Sequence, residues 1–263
     1  MFDILLKNCV VIDGTGRRRF KADIGIQGKR IARIGSLGNE PADKRLELKG
    51  LAVAPGFIDM HSHSDLSLLV NPRAESKVRQ GVTTEVIGNC GASAAPLTTH
   101  LREDIRKTWP EVRDSGLRLN WSSMSEYLQR IKRAGTALNI VPLVGHGNIR
   151  ACVIGFERRA PKKAEMREMI QILKESLEQG AAGMSSGLIY PPGCYSETSE
   201  LVQLAKVVAK HGGIYTSHIR NEGERLLEAV AEAIDIGRRA RFLSRYLTTR
   251  PQVKPTGAWS GTR

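Results

Sequence analysis

Two histidines one residue apart, His61 and His63, follow a short apolar segment of this 263-residue chain. The segment 57–61 comes after a Pro-Gly break and predicts a short buried strand. Side chains two positions apart on a strand point to the same side, so both imidazoles can reach one metal ion. The pair alone is about as consistent with packing as with metal binding, so further ligand-type residues elsewhere in the chain are needed to predict a metal site.

Polar side chains recur at the carboxyl ends of four further predicted strands. These strands are 83–90, 139–144, 181–188 and 214–218, and the residues at their ends are Cys90, His146, Ser185 with Ser186, and His218. In a parallel α/β barrel the carboxyl ends of the strands form the active-site face. Repeated ligand-type side chains at that one place predict a functional site there.

The ligand set that these strand ends offer suits zinc. His61, His63 and His218 supply three nitrogen atoms and Cys90 supplies a sulfur atom. A thiolate can also bridge two ions, so one or two zinc ions fit the set. Zinc lowers the pKa of bound water to about 7, and a carboxylate is then needed to carry a proton to the leaving amine. The predicted reaction class is amide hydrolysis.

Each candidate also has a purely structural interpretation. Cys90 and His218 fit as buried core residues. His146 is predicted to be a hydrogen-bonding or substrate-binding group rather than a metal ligand. Tyr190 follows a strand end and fits either a substrate contact or a loop anchor.

Two sequence patterns position these residues. Residues 1–54 contain short apolar strands separated by glycine turns, which predict a small β unit. Over residues 55–240, strands alternate with amphipathic helices, the pattern of βα units and a parallel sheet. Helix 163–179, which has one apolar face and ends before Gly180, is an example. The predicted fold class is α/β, with about five βα units.

Composition narrows the functional classes. Apolar residues make up 41% of the chain and charged residues 25%, as in ordinary globular proteins. The four cysteines have no paired spacing, and no signal or membrane segment is evident, so we expect a cytoplasmic protein with reduced thiols and no membrane partner. The net charge is +13, but residues 237–263 hold seven basic residues and no acidic one. Because the excess charge lies in this tail, nucleic-acid binding is not expected.

Five motifs resemble a known family. Residues Ala54-Pro-Gly-Phe-Ile-Asp-Met-His-Ser-His-Ser-Asp65 resemble the opening metal motif of the amidohydrolase superfamily. Segments 81–91, 145–150, 185–193 and 217–222 resemble its D-aminoacylase (N-acyl-D-amino-acid deacylase) branch. The most specific piece is Gly88-Asn89-Cys90-Gly91, and the resemblance runs from residue 2 to about residue 240.

The resemblance implies a fold, a reaction and residue roles. The fold is a (β/α)₈ TIM barrel with a small β-sandwich, of which 1–54 would be the N-terminal part. The reaction is hydrolysis of a small-molecule N-acyl-D-amino acid to a carboxylate and a D-amino acid. The roles implied are one metal for His61 and His63, a bridging position for Cys90, a tightly bound zinc for His218 and the substrate for Tyr190. A cyclic-amide hydrolase of the hydantoin type and a non-catalytic zinc-binding protein stay open as alternatives.

The tail 241–263 departs from this resemblance. The branch continues after the fifth helix with a strand that carries another zinc-binding histidine, then a catalytic aspartate, and neither is found here. Plausible codons for the tail, read in a neighbouring frame, spell that strand. We therefore expect 241–263 to be an out-of-frame product, 55–240 to be a partial barrel, and deacylase activity of the chain to be low.

Overall fold

The computed structural model describes residues 1–241, except the side chains of residues 110 and 111. These residues fall into two compact units, Met1–Phe57 and a second that begins at Ile58. The predicted out-of-frame tail lies, apart from Arg241, outside the described residues.

The first unit is a five-stranded sheet. Its strands are β1 (Phe2–Val11), β2 (Phe20–Gln27), β3 (Arg30–Gly35), β4 (Ala42–Glu47) and β5 (Ala52–Val53). The order is β3-β2-β1-β4, and β5 also pairs with β1. The β1–β2 and β2–β3 pairs are antiparallel, whereas β1 pairs in parallel with β4 and β5.

The apolar runs at 2–6 and 10–11 belong to one strand, β1, which has an irregularity between them. The register of β1 against β2 shifts between Leu6 and Cys9, and Asn8 adopts a positive φ of 58°. Asparagine tolerates this conformation better than most residues. Asn8 N–H donates to the buried carboxylate of Asp23, and this bond, with a second from Leu37 N–H, lowers the pKa of Asp23 although burial raises it.

The second unit contains the predicted parallel sheet. Its strands are β6 (Phe57–Asp59), β7 (Val82–Ile87), β8 (Asn139–Gly145), β9 (Gly183–Gly187) and β10 (Ile214–His218). They lie in chain order, and the β7–β8, β8–β9 and β9–β10 pairs are parallel. Sequential parallel strands joined by helices are the arrangement of a TIM barrel, so the predicted βα pattern is confirmed.

Helices connect these strands. They are α1 (Ser67–Val70), α2 (Glu75–Val78), α3 (Thr99–Thr108), α4 (Pro110–Ser115), α5 (Met124–Ala134), α6 (His146–Val153), α7 (Lys163–Glu178), α8 (Thr198–Lys210) and α9 (Leu226–Ala240). Helix α2 is a single turn, and α1, α3, α4 and α6 were not predicted from the sequence. In α6 the chain passes from strand to helix at Gly145, without a capping side chain that the sequence would reveal.

The helices bury one apolar face against the sheet. In α7, Met166, Met169, Leu173 and Leu177 are buried at spacings of three and four residues. Each such side chain contributes about 1.5–3 kcal/mol when fully buried. Among the described residues, no helix is both long enough and apolar enough to cross a membrane.

Candidate metal centre and adjoining cavity

His61 and His63 lie beyond the end of β6 rather than on it. The strand ends at Asp59, so the prediction that both histidines project from one side of a strand is wrong. The Asp59 carboxylate accepts the backbone N–H of His61 at 3.1 Å, and this local bond bends the chain away from the strand. The two imidazole centroids are nevertheless 5.3 Å apart. The turn therefore brings the histidines together without strand geometry.

A buried carboxylate fixes the segment that carries these histidines. Glu85 on β7 is fully buried and accepts the hydroxyls of Ser62 and Ser64, at 3.2 and 3.3 Å. Lys77 lies 3.0 Å from Glu85 and 2.5 Å from Asp59. Partial burial lowers the pKa of Lys77, but these two carboxylates outweigh it and raise the pKa above its ordinary value. The histidine segment is thus held by charge-assisted bonds.

Cys90 is presented by a tight turn after β7. Gly88, Cys90 and Gly91 all have positive φ, at 76°, 55° and 75°. A Cβ on Gly91 would lie 2.5 Å from the backbone nitrogen of Gly187, so the close approach of the two chains requires glycine there. Cys90 itself is a non-glycine residue in the left-handed region, which costs about 1–3 kcal/mol. Such strain is typical of functional positions.

Three ligand-type atoms converge at this turn. The ligand atoms of His61, His63 and Cys90 all lie within 4.8 Å of one another. His61 Nε2 and Cys90 Sγ are 3.1 Å apart. Zinc bonds of about 2.0 Å to nitrogen and 2.3 Å to sulfur place tetrahedral ligands roughly 3.6 Å apart. The group therefore fits a metal ion with small adjustments.

His218 contacts the same sulfur atom. It ends β10, and its Nδ1 atom lies 3.4 Å from Cys90 Sγ. Its other ring nitrogen, Nε2, lies 3.1 Å from a carboxylate oxygen of Glu222, without hydrogen-bond alignment, so the contact is electrostatic. Sequence reasoning missed Glu222. The i, i+4 spacing of a histidine and a glutamate just past a strand end was the available signal.

Tyr190 lies at the edge of this group. Its ring centroid is 4.9 Å from that of His218, in an edge-on arrangement, and half of the residue is exposed. Both predicted interpretations, a substrate contact and a loop anchor, are compatible with this position.

His146 belongs to a different cluster. It is completely buried, and its Nε2 atom lies 2.8 Å from Glu200 Oε1. Arg150 donates to the other oxygen of Glu200 at 2.6 Å and to the carbonyl of Arg159 at 2.7 Å. Burial raises the pKa of Glu200, but bonds from His146 and Arg150 outweigh it and lower the pKa below its ordinary value. The predicted roles of His146 as a hydrogen-bonding or a substrate-binding group both stay predictions.

A cavity of about 690 Å³ adjoins the metal-ligand group. His63, Cys90, Tyr190 and His218 all line it. The walls come from α3, from the start of α6 and from the loop after β9. This volume is in the usual range for small-molecule sites. Sequence reasoning missed helix α3, although Thr98 as a cap and apolar residues at 101 and 105 signal a helix there.

Comparisons with known proteins agree with this geometry. Residues 46–229 match the model of the amidohydrolase family. The N-acyl-D-glutamate deacylase of Alcaligenes xylosoxydans xylosoxydans is 42% identical over 237 residues, which are 90% of this chain and 48% of that protein. The chain thus spans about half the length of the curated relatives it matches.

Two solved structures give the same result. The N-acyl-D-glutamate deacylase from Bordetella bronchiseptica, in complex with zinc and a phosphonate that mimics the tetrahedral intermediate, is 38% identical with a TM-score of 0.84. It covers 94% of this chain, and the match covers 50% of that protein. A D-aminoacylase described with a binuclear metal centre is 36% identical with a TM-score of 0.82, over 92% of this chain and 50% of its own. The predicted family resemblance and TIM-barrel fold class are confirmed.

Proposed function

This chain belongs to the amidohydrolase family, and from that membership we propose that it hydrolyses the amide bond of N-acyl-D-amino acids with zinc as its cofactor. One observation carries the proposal: the sulfur atom of Cys90 contacts a ring nitrogen of both His61 and His218. A thiolate between imidazoles is a zinc-binding arrangement. The relatives named N-acyl-D-glutamate deacylase and D-aminoacylase support the substrate class.

We assign the ligands by their contacts. His61, His63 and Cys90 would hold one zinc ion, and His218, whose ring also contacts the Cys90 sulfur atom, would contribute to a second. Bound zinc supplies water with a pKa near 7 and polarises the amide carbonyl. Glu222 orients the His218 ring through Nε2, the role that carboxylates commonly have beside ligating histidines.

The other residues of the site bind the substrate or support the cavity wall. Tyr190, which lies beside His218 and lines the cavity, packs against the bound substrate. His146, held by Glu200, fixes the first turn of α6, and Gly147 and Asn148 of that turn line the cavity. In this proposal His146 supports the wall and does not touch the substrate.

The domain division and the cellular location are part of the same proposal. Residues 1–54 form the N-terminal portion of a β-sandwich, and 55–240 form the metal-binding part of the barrel. The four cysteines form no disulfide with one another in the described part of the chain, as is usual in the reducing cytoplasm. The partner is then a small molecule, without nucleic acid or membrane.

Zinc titration followed by an assay tests the proposal. We expect the 263-residue chain to bind zinc and to release D-glutamate from N-acetyl-D-glutamate slowly and only with zinc, and to leave the L-enantiomer intact. A free-amine assay detects the product. Faster ring opening of a hydantoin would favour the cyclic-amide alternative. Zinc binding without turnover of any substrate would favour the non-catalytic alternative.

A further inference from the structure

Helix α3 lines the cavity beside the metal ligands with both polar and apolar side chains. Its polar lining residues are Asp104, Lys107 and Thr108, and its apolar ones are Leu101 and Ile105, with Trp109 following directly. Leu101, Ile105 and Thr108 are three and four residues apart and so form one side of the helix. Leu101 and Ile105 are 9% and 6% exposed. Leu101, Ile105 and Trp109 are here called the α3 wall.

Other residues that line the cavity leave room beside this face. Gly147 and Ala151 of α6 line the cavity with minimal side chains, and Phe156 adds an aromatic ring that is 47% exposed. A Cβ on Gly147 would lie 2.6 Å from the carbonyl oxygen of Gly91, so this position has no space for a larger residue. The space beside the α3 wall therefore suits an apolar group that is longer than a methyl.

The position of the metal ligands decides which part of a substrate enters this space. His63, Cys90 and His218 line the same cavity, so the reacting carbonyl carbon lies beside them. The acyl substituent is bonded to that carbon and starts there. The substrate's α-carboxylate would lose hydration against Leu101 and Ile105, whereas Lys107, which lines the same cavity, can pair with it, so the apolar side chains are left for the acyl group.

We propose that the α3 wall and Phe156 bind the acyl group, and that the chain prefers N-acyl-D-amino acids with aliphatic or aromatic acyl groups of about six to ten carbons over N-acetyl compounds. The inference rests on the proposed function, because it uses the amide carbonyl as its starting point. Each added methylene that enters the cavity strengthens binding about threefold to fourfold. Partial entry of the chain still gives an increase of at least about 30-fold from acetyl to octanoyl.

Calorimetric binding of two ligands to the zinc-loaded 263-residue chain tests the inference. N-octanoyl-D-glutamate is expected to bind at least about 30-fold more tightly than N-acetyl-D-glutamate. Phe156→Ser should weaken octanoyl binding about fivefold or more and leave acetyl binding and zinc affinity unchanged. Leu227→Ser, at a residue of α9 that is 82% exposed and away from the cavity lining, is the matched control and should change neither ligand.

Three results would overturn the inference. The first is equal affinity for the two ligands, and the second is an equal loss of octanoyl binding in Phe156→Ser and Leu227→Ser. The third is an affinity that rises as the amino-acid side chain lengthens, from N-acetyl-D-alanine to N-acetyl-D-norleucine, but not as the acyl chain lengthens. The wall would then bind the side chain.

Failure of the proposed function is distinguishable from failure of this inference. A chain that binds octanoyl ligands through Phe156 but hydrolyses nothing supports the acyl site and contradicts the deacylase activity. A chain that hydrolyses acetyl and octanoyl substrates with equal kcat/KM supports the activity and contradicts the acyl site.

Discussion

Two histidine clusters occupy the same end of one parallel sheet and have opposite surroundings. The open cluster, His61, His63, Cys90 and His218, has ligand-type atoms around one sulfur atom and lines a cavity. The closed cluster, His146, Arg150 and Glu200, is buried, and its carboxylate contacts both an imidazole and a guanidinium. A histidine at a strand end therefore does not by itself identify a metal site. The partners around the imidazole decide its role.

The largest expected effect comes from breaking the closed cluster. Glu200→Ala should lower the free energy of unfolding by about 3–5 kcal/mol, because it leaves the buried guanidinium of Arg150 without its counter-charge. Urea unfolding followed by circular dichroism measures the loss. Zinc affinity of the folded variant should equal that of the wild type.

A matched exposed pair provides the control. Glu228 pairs with Arg225 at 2.7 Å, but both side chains are more than half exposed. Glu228→Ala should therefore cost less than about 1 kcal/mol. Equal losses of unfolding free energy in the two glutamate variants would mean that burial does not make one ion pair more important for stability than the other.

Breaking the open cluster should affect metal binding instead of stability. Cys90→Ser should weaken zinc binding at least about 100-fold, since loss of a supporting partner alone costs 10–100-fold and Cys90 is proposed as a ligand. Competition with a zinc-binding dye measures the change. Cys194→Ser, at a partly buried thiol outside the three-residue ligand group, should bind zinc as the wild type does. Unchanged affinity in Cys90→Ser would contradict the proposed centre.

The closed cluster also predicts a pH dependence of stability. Hydrogen bonds from His146 and Arg150 outweigh burial and hold the pKa of Glu200 below its ordinary value of 4.5. The carboxylate therefore contributes stability above about pH 4.5, and the contribution is lost as the pH falls through the lowered pKa. The difference in unfolding free energy between the wild type and Glu200→Gln should be larger at pH 7 than at pH 3. A difference that grows towards pH 3 would mean that the pKa of Glu200 is raised and not lowered.

The smallest effect is expected at the border of the open cluster. The ring of Tyr190 packs edge-on against His218, an arrangement that contributes about 0.5–1.5 kcal/mol. Tyr190→Ala should weaken zinc binding by no more than about tenfold and raise KM for an N-acyl-D-amino acid. Tyr195→Ala is the matched control, since Tyr195 does not line this cavity. A 100-fold loss of zinc affinity would make Tyr190 part of the metal centre.

Much of the framework was predictable because its signals are local. The strand 214–218 was predicted with its observed bounds, and α7 differs from the predicted helix 163–179 by one residue at the C-terminal end. These elements have clear periodicity and end at glycine or at a short turn. Short α1 and α2 span about one turn each, too short for periodicity to locate them.

The sequence by itself determined the βα order, the residue types at the strand ends and the family to which they belong. Tertiary structure decided which of those residues meet: Cys90 contacts His218 across 128 positions, and His146 contacts Glu200 across 54. Nothing local distinguishes a histidine that will face a thiol in a cavity from one that will face a buried carboxylate. Burial and counter-charge are contributed by distant segments, so the function of each histidine was fixed only when the sheet and its helices packed together.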